Sequence, residues 1–399
     1  MRKMPAKTTP KPQKRPAPPP LKLLLGQRSW SLGSSTVHAS VTRTGGHLAP
    51  VIFDRRGKKI SPYSIAPWAT ERLPKNTLPL IAALRGDFFC LPFGGNTNSW
   101  HGEKHPVHGQ TANANWKFRS LQSQSGRHTL HLSLQTTVRQ GAVDKFITLI
   151  DGHNAVYCRH VISGMTGPMP LGHHAMLKFP SASGGGVIST SRFIFGQVYP
   201  GQFEDPACGG YSSLRPGVEF DSLESVLTQS GSPADLSRYP ARAGFEDLAM
   251  LIADPALPFA WTAATLAAEG YVWFALKDAK ILTSTVLWFS NGGRHYAPWN
   301  GRHRGVLGLE EITGHFHEGL AQSAEPNPLS DRGFVTAHQL SPGLPLTVNY
   351  IMAVAPIPKT FDAVANIEVA PAGDSVTIRS RNEQSVTAPI DMDFLTWRA

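Results

Sequence analysis

Residues 129–162, TLHLSLQTTVRQGAVDKFITLIDGHNAVYCRHVI, decide the fold class. Their first part alternates: Leu130, Leu132 and Leu134 fall on one face, His131, Ser133 and Gln135 on the other. A period of two marks a strand with one buried side. KFITLI then enters the turn Asp151–Asn154 and leaves through AVYCRHVI, a strand–turn–strand hairpin. Working outward, VIFDRRGKKI (51–60) and VWFALKDAKILTSTVLWF (272–289) repeat the strand–turn–strand pattern, and GVLGLEEI, GFVTAHQL, LTVNYIMAV and SVTIRS add later strands. Helical signals are confined to DSLESVLTQ (221–229) and GFEDLAMLIA (244–253), the second followed by Pro255 as a stop. Since 37 glycines and 33 prolines punctuate these strands, the expectation is a mainly β chain forming a large antiparallel sandwich with few short helices. Residues 181–245, the least regular part, are expected to loop over one end of it, and the stretch from about Lys359 to form a closing hairpin on the same body.

The net charge of +10 is concentrated at one end. Residues 1–28 hold eight basic side chains and no acid, which leaves about +2 for the rest (10 − 8). That is a poor footprint for nucleic acid. Seven prolines in residues 1–20 argue for a disordered or polyproline-like tail, so the domain expectation is a basic tail at 1–28 and a single β domain at 29–399. The apolar run LKLLL (21–25) is shorter than the ~7–15 residues of a secretory core, and no stretch approaches the ~18–20 of a membrane span. Cys90, Cys158 and Cys208 are odd in number and without CxxC spacing, which speaks against a disulfide framework and for a reducing, cytoplasmic compartment.

Two segments place histidines among glycines and strand-like residues. In MPLGHHAMLKFP (169–180), parity puts Leu171, His173, Leu177 and Phe179 on a core-like face and His174, Met176 and Lys178 on the more open one. The plainer alternative is that both histidines are structural, and the segment alone favours it. In HPVHGQTANANW (105–116), Gly109 allows close backbone approach or a positive φ, while His108, Asn113 and Trp116 offer two hydrogen-bonding groups and an aromatic face, a mixture that suits a sugar. His101, His105 and His108 suggest a metal only weakly, because Gly102 and Pro106 break any helix that would align them.

WFSNGGRHYAPWNGRHRGVLGLEE (288–311) is the densest polar–aromatic stretch, with Arg294, His295, Trp299 and Arg302 as candidate binding groups against the alternative of a merely solvated loop. In the strand that ends it, Leu307 and Leu309 share the parity of Glu311, whereas Gly308 shares that of Glu310. Glu310 is therefore the carboxylate expected on the open face. His315 and His317 would join Glu311 only if the strand continued, a minority metal alternative. No GxSxG or phosphate-loop motif occurs, so nucleophilic and nucleotide chemistry lack support.

Together these segments resemble the aldose 1-epimerase, or galactose mutarotase-like, superfamily. The likeness lies in GDFFCLPFGGN…HPVHGQTANANW, in LGHHAMLKFP and in VLGLEE, within a span from about Thr36 to Pro356. LGHHAMLKFP is similar to a G-x-H-P-x-F-x-x-P pattern, with Ala175 in place of the proline and Leu177 in place of the phenylalanine. The resemblance implies a β-supersandwich holding a sugar on a concave sheet face, no cofactor and no metal, with His174 as general acid, Glu310 as general base and His108 assisting. It also implies that Asn113, Trp116, Arg294, His295, Trp299 and Arg302 bind the ring or its substituents. An asparagine before the acid histidine is absent, and only Glu204 or Asp205 offers itself for the substrate-anchoring aspartate. The function expected is interconversion of sugar anomers. A non-catalytic carbohydrate-binding protein comes second, and a polysaccharide lyase or glycoside hydrolase third, since a hydrolase wants two carboxylates flanking the bond.

Overall fold

The computed structural model describes residues 19–397. Two large antiparallel sheets dominate it, one of nine strands and one of eight. The nine-stranded sheet contains the opening hairpin: Arg127–Thr136 pairs with Gly141–Ile150, which pairs with Ala155–Ser163. Leu130, Leu132 and Leu134 point into the space between the sheets, as their parity predicts. They meet Leu287, Leu307 and Leu309 from the eight-stranded sheet there. The result is a sandwich with its main core between the layers. A four-stranded sheet from residues 22–52 adds Trp30, Leu32, Ala39 and Val41 to the same core.

Buried polar pairs also tie the layers together. Glu311 faces inward and accepts from Thr262 Oγ1 and Thr285 Oγ1, at 2.7 Å each, while forming an ion pair with Lys277 of the opposite sheet. His173 faces inward too, 2.8 Å from Asp87 and packed beside His160 and Tyr350. Charges so deeply buried persist only when paired.

Several expectations fail for identifiable reasons. Residues 19–28 are not tail: Lys22–Leu24 pairs with Gln27–Gly33 around Gly26, and the buried Arg85 guanidinium donates to the carbonyls of Leu24 and Leu25 at 3.1 and 2.8 Å. Residues 1–18 of the expected tail lie outside the described residues. The helix expected at 244–253 is the strand Glu246–Ala253, buried along its whole length. A strand covered on both faces loses its alternation and imitates a buried helix. The helix expected at 221–229 is likewise absent; turns join the short strands Glu219–Phe220 and Val226–Leu227. Residues 272–289 do form two strands, but these do not pair: Tyr271–Lys277 belongs to the nine-stranded sheet and Ser284–Ser290 to the eight-stranded one. The C-terminal stretch is a three-stranded meander over residues 364–389, packed on the outer face of the nine-stranded sheet through Ile367, Val376 and Ile378.

The described α-helices are of four or five residues, and none is long and apolar enough to cross a membrane. The outer face of the eight-stranded sheet carries Met176, Leu248, Met250, Val286 and Trp288, beneath a cover that includes Trp68, Leu80 and Phe88. The candidate site lies in this cover.

Candidate functional site

Three strand segments set the chemical groups. His174 sits at a break between Leu171–His173 and Ala175–Lys178, where its N–H leaves the ladder and donates to Phe88 O at 3.0 Å. Its imidazole thereby points outward while His173 points into the core. On the next strand, Val306–Thr313, Glu310 projects to the same outer face as His174, and its Oε1 lies 3.3 Å from His174 Nε2. Gly308, opposite Trp288 and Met176, leaves room for the carboxylate: a Cβ there would fall 2.7 Å from Glu310 Oε1.

His108 arrives on a loop. It has a positive φ of 55°, and Gly109 follows at 74°, where any Cβ would lie 1.9 Å from Leu91 O. Only glycine fits that position. His108 Nδ1 accepts from Gly94 N at 3.3 Å, which assigns the proton of the neutral ring to Nε2. The rings of His108 and His174 stand edge to face, 5.0 Å apart.

These three side chains line one cavity of about 170 Å³. Phe88, Trp288 and Trp299 supply aromatic walls, Leu80, Leu84, Val107 and Leu248 aliphatic ones, and Arg294 and His317 complete the polar lining. Phe88 is stacked between His47 and His174, at 4.4 and 4.5 Å between ring centres. Trp288 is fixed from behind by His303, stacked at 5.6 Å, and by a 3.0 Å bond from its Nε1 to Glu246.

Burial governs the electrostatics. Desolvation drives the His174 pKa well below the usual histidine value and the Glu310 pKa well above the usual carboxyl value. Both directions favour the uncharged pair, a carboxylic acid beside a neutral imidazole, over carboxylate and imidazolium. Either arrangement holds one proton between the two residues, which lie 3.3 Å apart. Burial also lowers His108 to about 3 and His317 to about 4. Arg294 keeps its charge although burial opposes it, because Glu246 and Glu204 stand beside it, the latter accepting from Nε at 2.7 Å. Glu246, buried and close to a second carboxylate, is raised to about 7.

Four expected binding residues lie elsewhere. Asn113 holds the His108 loop, donating to Val107 O and Gly109 O at 2.7 and 2.8 Å and accepting from Leu80 N at 3.1 Å. Trp116 is packed in the sandwich core, its Nε1 donating to Thr111 O at 3.0 Å. His295 is exposed and rests against Tyr211. Arg302 is bound on the surface by both oxygens of Glu71, at 2.6 and 2.9 Å, so it cannot anchor a substituent in the cavity. Residue types in a loop indicate suitable chemistry but not direction.

The metal alternatives also come apart. His101 is exposed and His105 bonds Glu103 at 2.8 Å, both away from the His108 cavity. The chain turns at Phe316, with φ 48°, so His317 reaches the cavity while Glu311 stays in the core. Phe88, Trp288, Leu248, Phe203 and Glu246 were not among the expected site residues. Trp288 stood in the quoted aromatic stretch, and its pairing with Gly308, large against small, was the available signal.

The sequence matches no protein-family model and no curated protein. Solved structures are similar at low identity. A candidate aldose 1-epimerase from Escherichia coli K12 shares 14% identity and a TM-score of 0.54, over 83% of this chain and 100% of that one. A galactose mutarotase-related enzyme from Lactobacillus acidophilus shares 10% and 0.53, over 83% and 98%. A galactose mutarotase-like protein from Clostridium acetobutylicum shares 10% and 0.53, over 84% and 98%. At such identities the likeness carries the architecture, and by it the chain has the fold shared by galactose mutarotase-like proteins.

Proposed function

We propose that the protein interconverts the α and β anomers of an aldose, with His174 and Glu310 as a general acid–base pair. The observation that carries this is their 3.3 Å approach on the wall of a small, largely aromatic cavity that His108 also faces. Glu310 as carboxylate takes the proton of the anomeric hydroxyl while protonated His174 donates to the ring oxygen. The ring opens, the C1–C2 bond rotates, and the pair works in reverse to close it. At the open-chain stage the proton rests on Glu310 and His174 is neutral, which is the charge state that burial favours. General acid and base contributions of ~10²–10⁴ each suit so easy a reaction. His108, with its proton on Nε2, donates to a ring hydroxyl. Trp288 and Trp299 receive the apolar face of the sugar.

The substrate is an uncharged sugar. Arg294, the cation of the cavity, already carries Glu204 at 2.7 Å and has Glu246 nearby, so a phosphate would have to displace a buried partner. Among the described residues Glu310 is the one carboxylate lining the cavity, which weighs against a hydrolase needing two. A non-catalytic sugar-binding protein is the second reading, favoured by the departures from the family pattern: His173 stands where an asparagine would precede the acid histidine, and Glu204, the candidate anchor, is tied up by Arg294. The three unpaired cysteines accord with a cytoplasmic setting.

The test is polarimetry of freshly dissolved aldoses with wild type and Glu310→Gln. Accelerated equilibration by wild type, lost in the variant, is expected. Sugar binding without acceleration, equal in both proteins, would establish the second reading instead.

A further inference from the structure

We infer that the wide cleft beside the catalytic cavity is a second sugar subsite, so that the substrate is a reducing di- or oligosaccharide. This rests on the anomerase reading and extends it. The cleft encloses about 610 Å³, against about 170 Å³ for the cavity, and Phe203 and Leu248 belong to both walls. The two lie side by side on the eight-stranded sheet. Gly308 pairs with Trp288, Trp288 with Leu248, and Leu248 O accepts from Tyr199 N at 2.9 Å. At ~4.8 Å per neighbouring strand those three steps span ~14 Å, longer than a single pyranose.

The lining has the character of a glycan site. Tyr211 is 41% exposed, yet its backbone is fixed on both sides, its N–H donating to Gly293 O at 3.0 Å and its carbonyl accepting from Glu246 N at 2.7 Å. An open aromatic ring carried on a fixed backbone is a stacking platform for the C–H face of a sugar. Around it the Gln202 and Gln229 side chains have their Nε2 groups held by Glu204 O and Ser212 O, at 3.3 and 3.0 Å, which leaves their amide oxygens as acceptors. The ion pair of Glu204, in the cleft wall, with Arg294, in the cavity wall, marks the junction.

Reaction chemistry fixes the direction. Ring opening needs a free C1 hydroxyl, so the reducing-end ring occupies the cavity at His174 and Glu310. The next ring, attached through another hydroxyl, lies over Tyr211.

The experiment measures anomer exchange by NMR for maltose, cellobiose and lactose against glucose and galactose, with wild type and Tyr211→Ala, together with saturation-transfer binding of the same sugars. For at least one disaccharide, kcat/KM should exceed that of its reducing-end monosaccharide by about tenfold. Tyr211→Ala should bring that ratio to about one without changing monosaccharide exchange. Equal values for both sugars, unmoved by Tyr211→Ala, overturn the subsite and leave anomerisation standing. Absence of exchange with every sugar overturns anomerisation itself. In that case saturation of the non-reducing ring, lost in Tyr211→Ala, upholds the subsite, whereas saturation of one ring only, or no binding, overturns it.

Discussion

Replacing Gly308 by alanine separates the chemistry of the site from the stability of the sheet. The new Cβ would stand 2.7 Å from Glu310 Oε1, 3.3 Å from Glu310 Cγ and 3.1 Å from Trp288 Cβ. Comfortable contacts between heavy atoms fall at ~3.5–4.0 Å, so the neighbours must yield by about 1 Å. Trp288 cannot do so cheaply: its Cβ is close to the backbone, and its ring is held by Glu246 and His303. The Glu310 carboxylate, at the end of a flexible side chain, moves instead. A misplacement of about 1 Å at a reacting group costs up to ~10²-fold in rate. Overpacking costs ~1–3 kcal/mol, and relief through one soft side chain points to the lower end. Anomer exchange by NMR should therefore fall about a hundredfold in Gly308→Ala, while its urea midpoint shifts only slightly. A folded Gly308→Ala exchanging anomers at the wild-type rate would refute the proposed role of Glu310.

Other outcomes follow from burial. Lys277→Met strands Glu311 between the sheets and should cost ~3–5 kcal/mol by urea denaturation, most of it recovered when Glu311→Gln is added. His47, His108 and His303 are each lowered to about 3 by burial, so between pH 3 and 6.5 the unfolded chain binds protons that the folded one does not. Their stabilisation is complete above pH 6.5 and is lost as pH falls. Glu246, raised to about 7, acts in the opposite sense between its ordinary value and pH 7, because there the folded chain holds the extra proton. Buried histidines lowered in this way, His160, His174 and His317 among them, outnumber the raised carboxyls Glu246 and Glu310, so stability should fall as the pH drops, and urea midpoints at pH 6.5 and 5.5 check it. For catalysis, the lowered His174 and raised Glu310 predict a bell with a broad plateau, its acid limb below the ordinary histidine pKa and its alkaline limb above the ordinary carboxyl one. A single sigmoid centred on an ordinary histidine value would contradict a one-proton dyad.

What could be read from the sequence follows the period of the strand. Alternation in LGHHAMLKFP separates His173 from His174, and alternation in VLGLEEI separates Glu311 from Glu310; the structure has each of these side chains on the face that parity assigns. Where both faces of a strand are buried the signal vanishes, as Glu246–Ala253 shows. Loops carry no such periodicity. Asn113 and Trp116 have the chemistry of sugar ligands but bind their own backbone, because a turn's direction depends on partners far away in sequence. For the same reason Phe88 and Phe203 could not be placed: each reaches the cavity only through pairings between distant segments. The ordered residues 22–28 stayed hidden because their backbone is held by Arg85, whose role no local pattern reveals.

The most direct measurement is a double-mutant cycle on anomer exchange with His174→Ala, Glu310→Gln and the combined variant. If the two side chains pass one proton between them, each single change should abolish nearly all the acceleration and the double should lose little more. Exchange at the wild-type rate in either single variant would contradict the account.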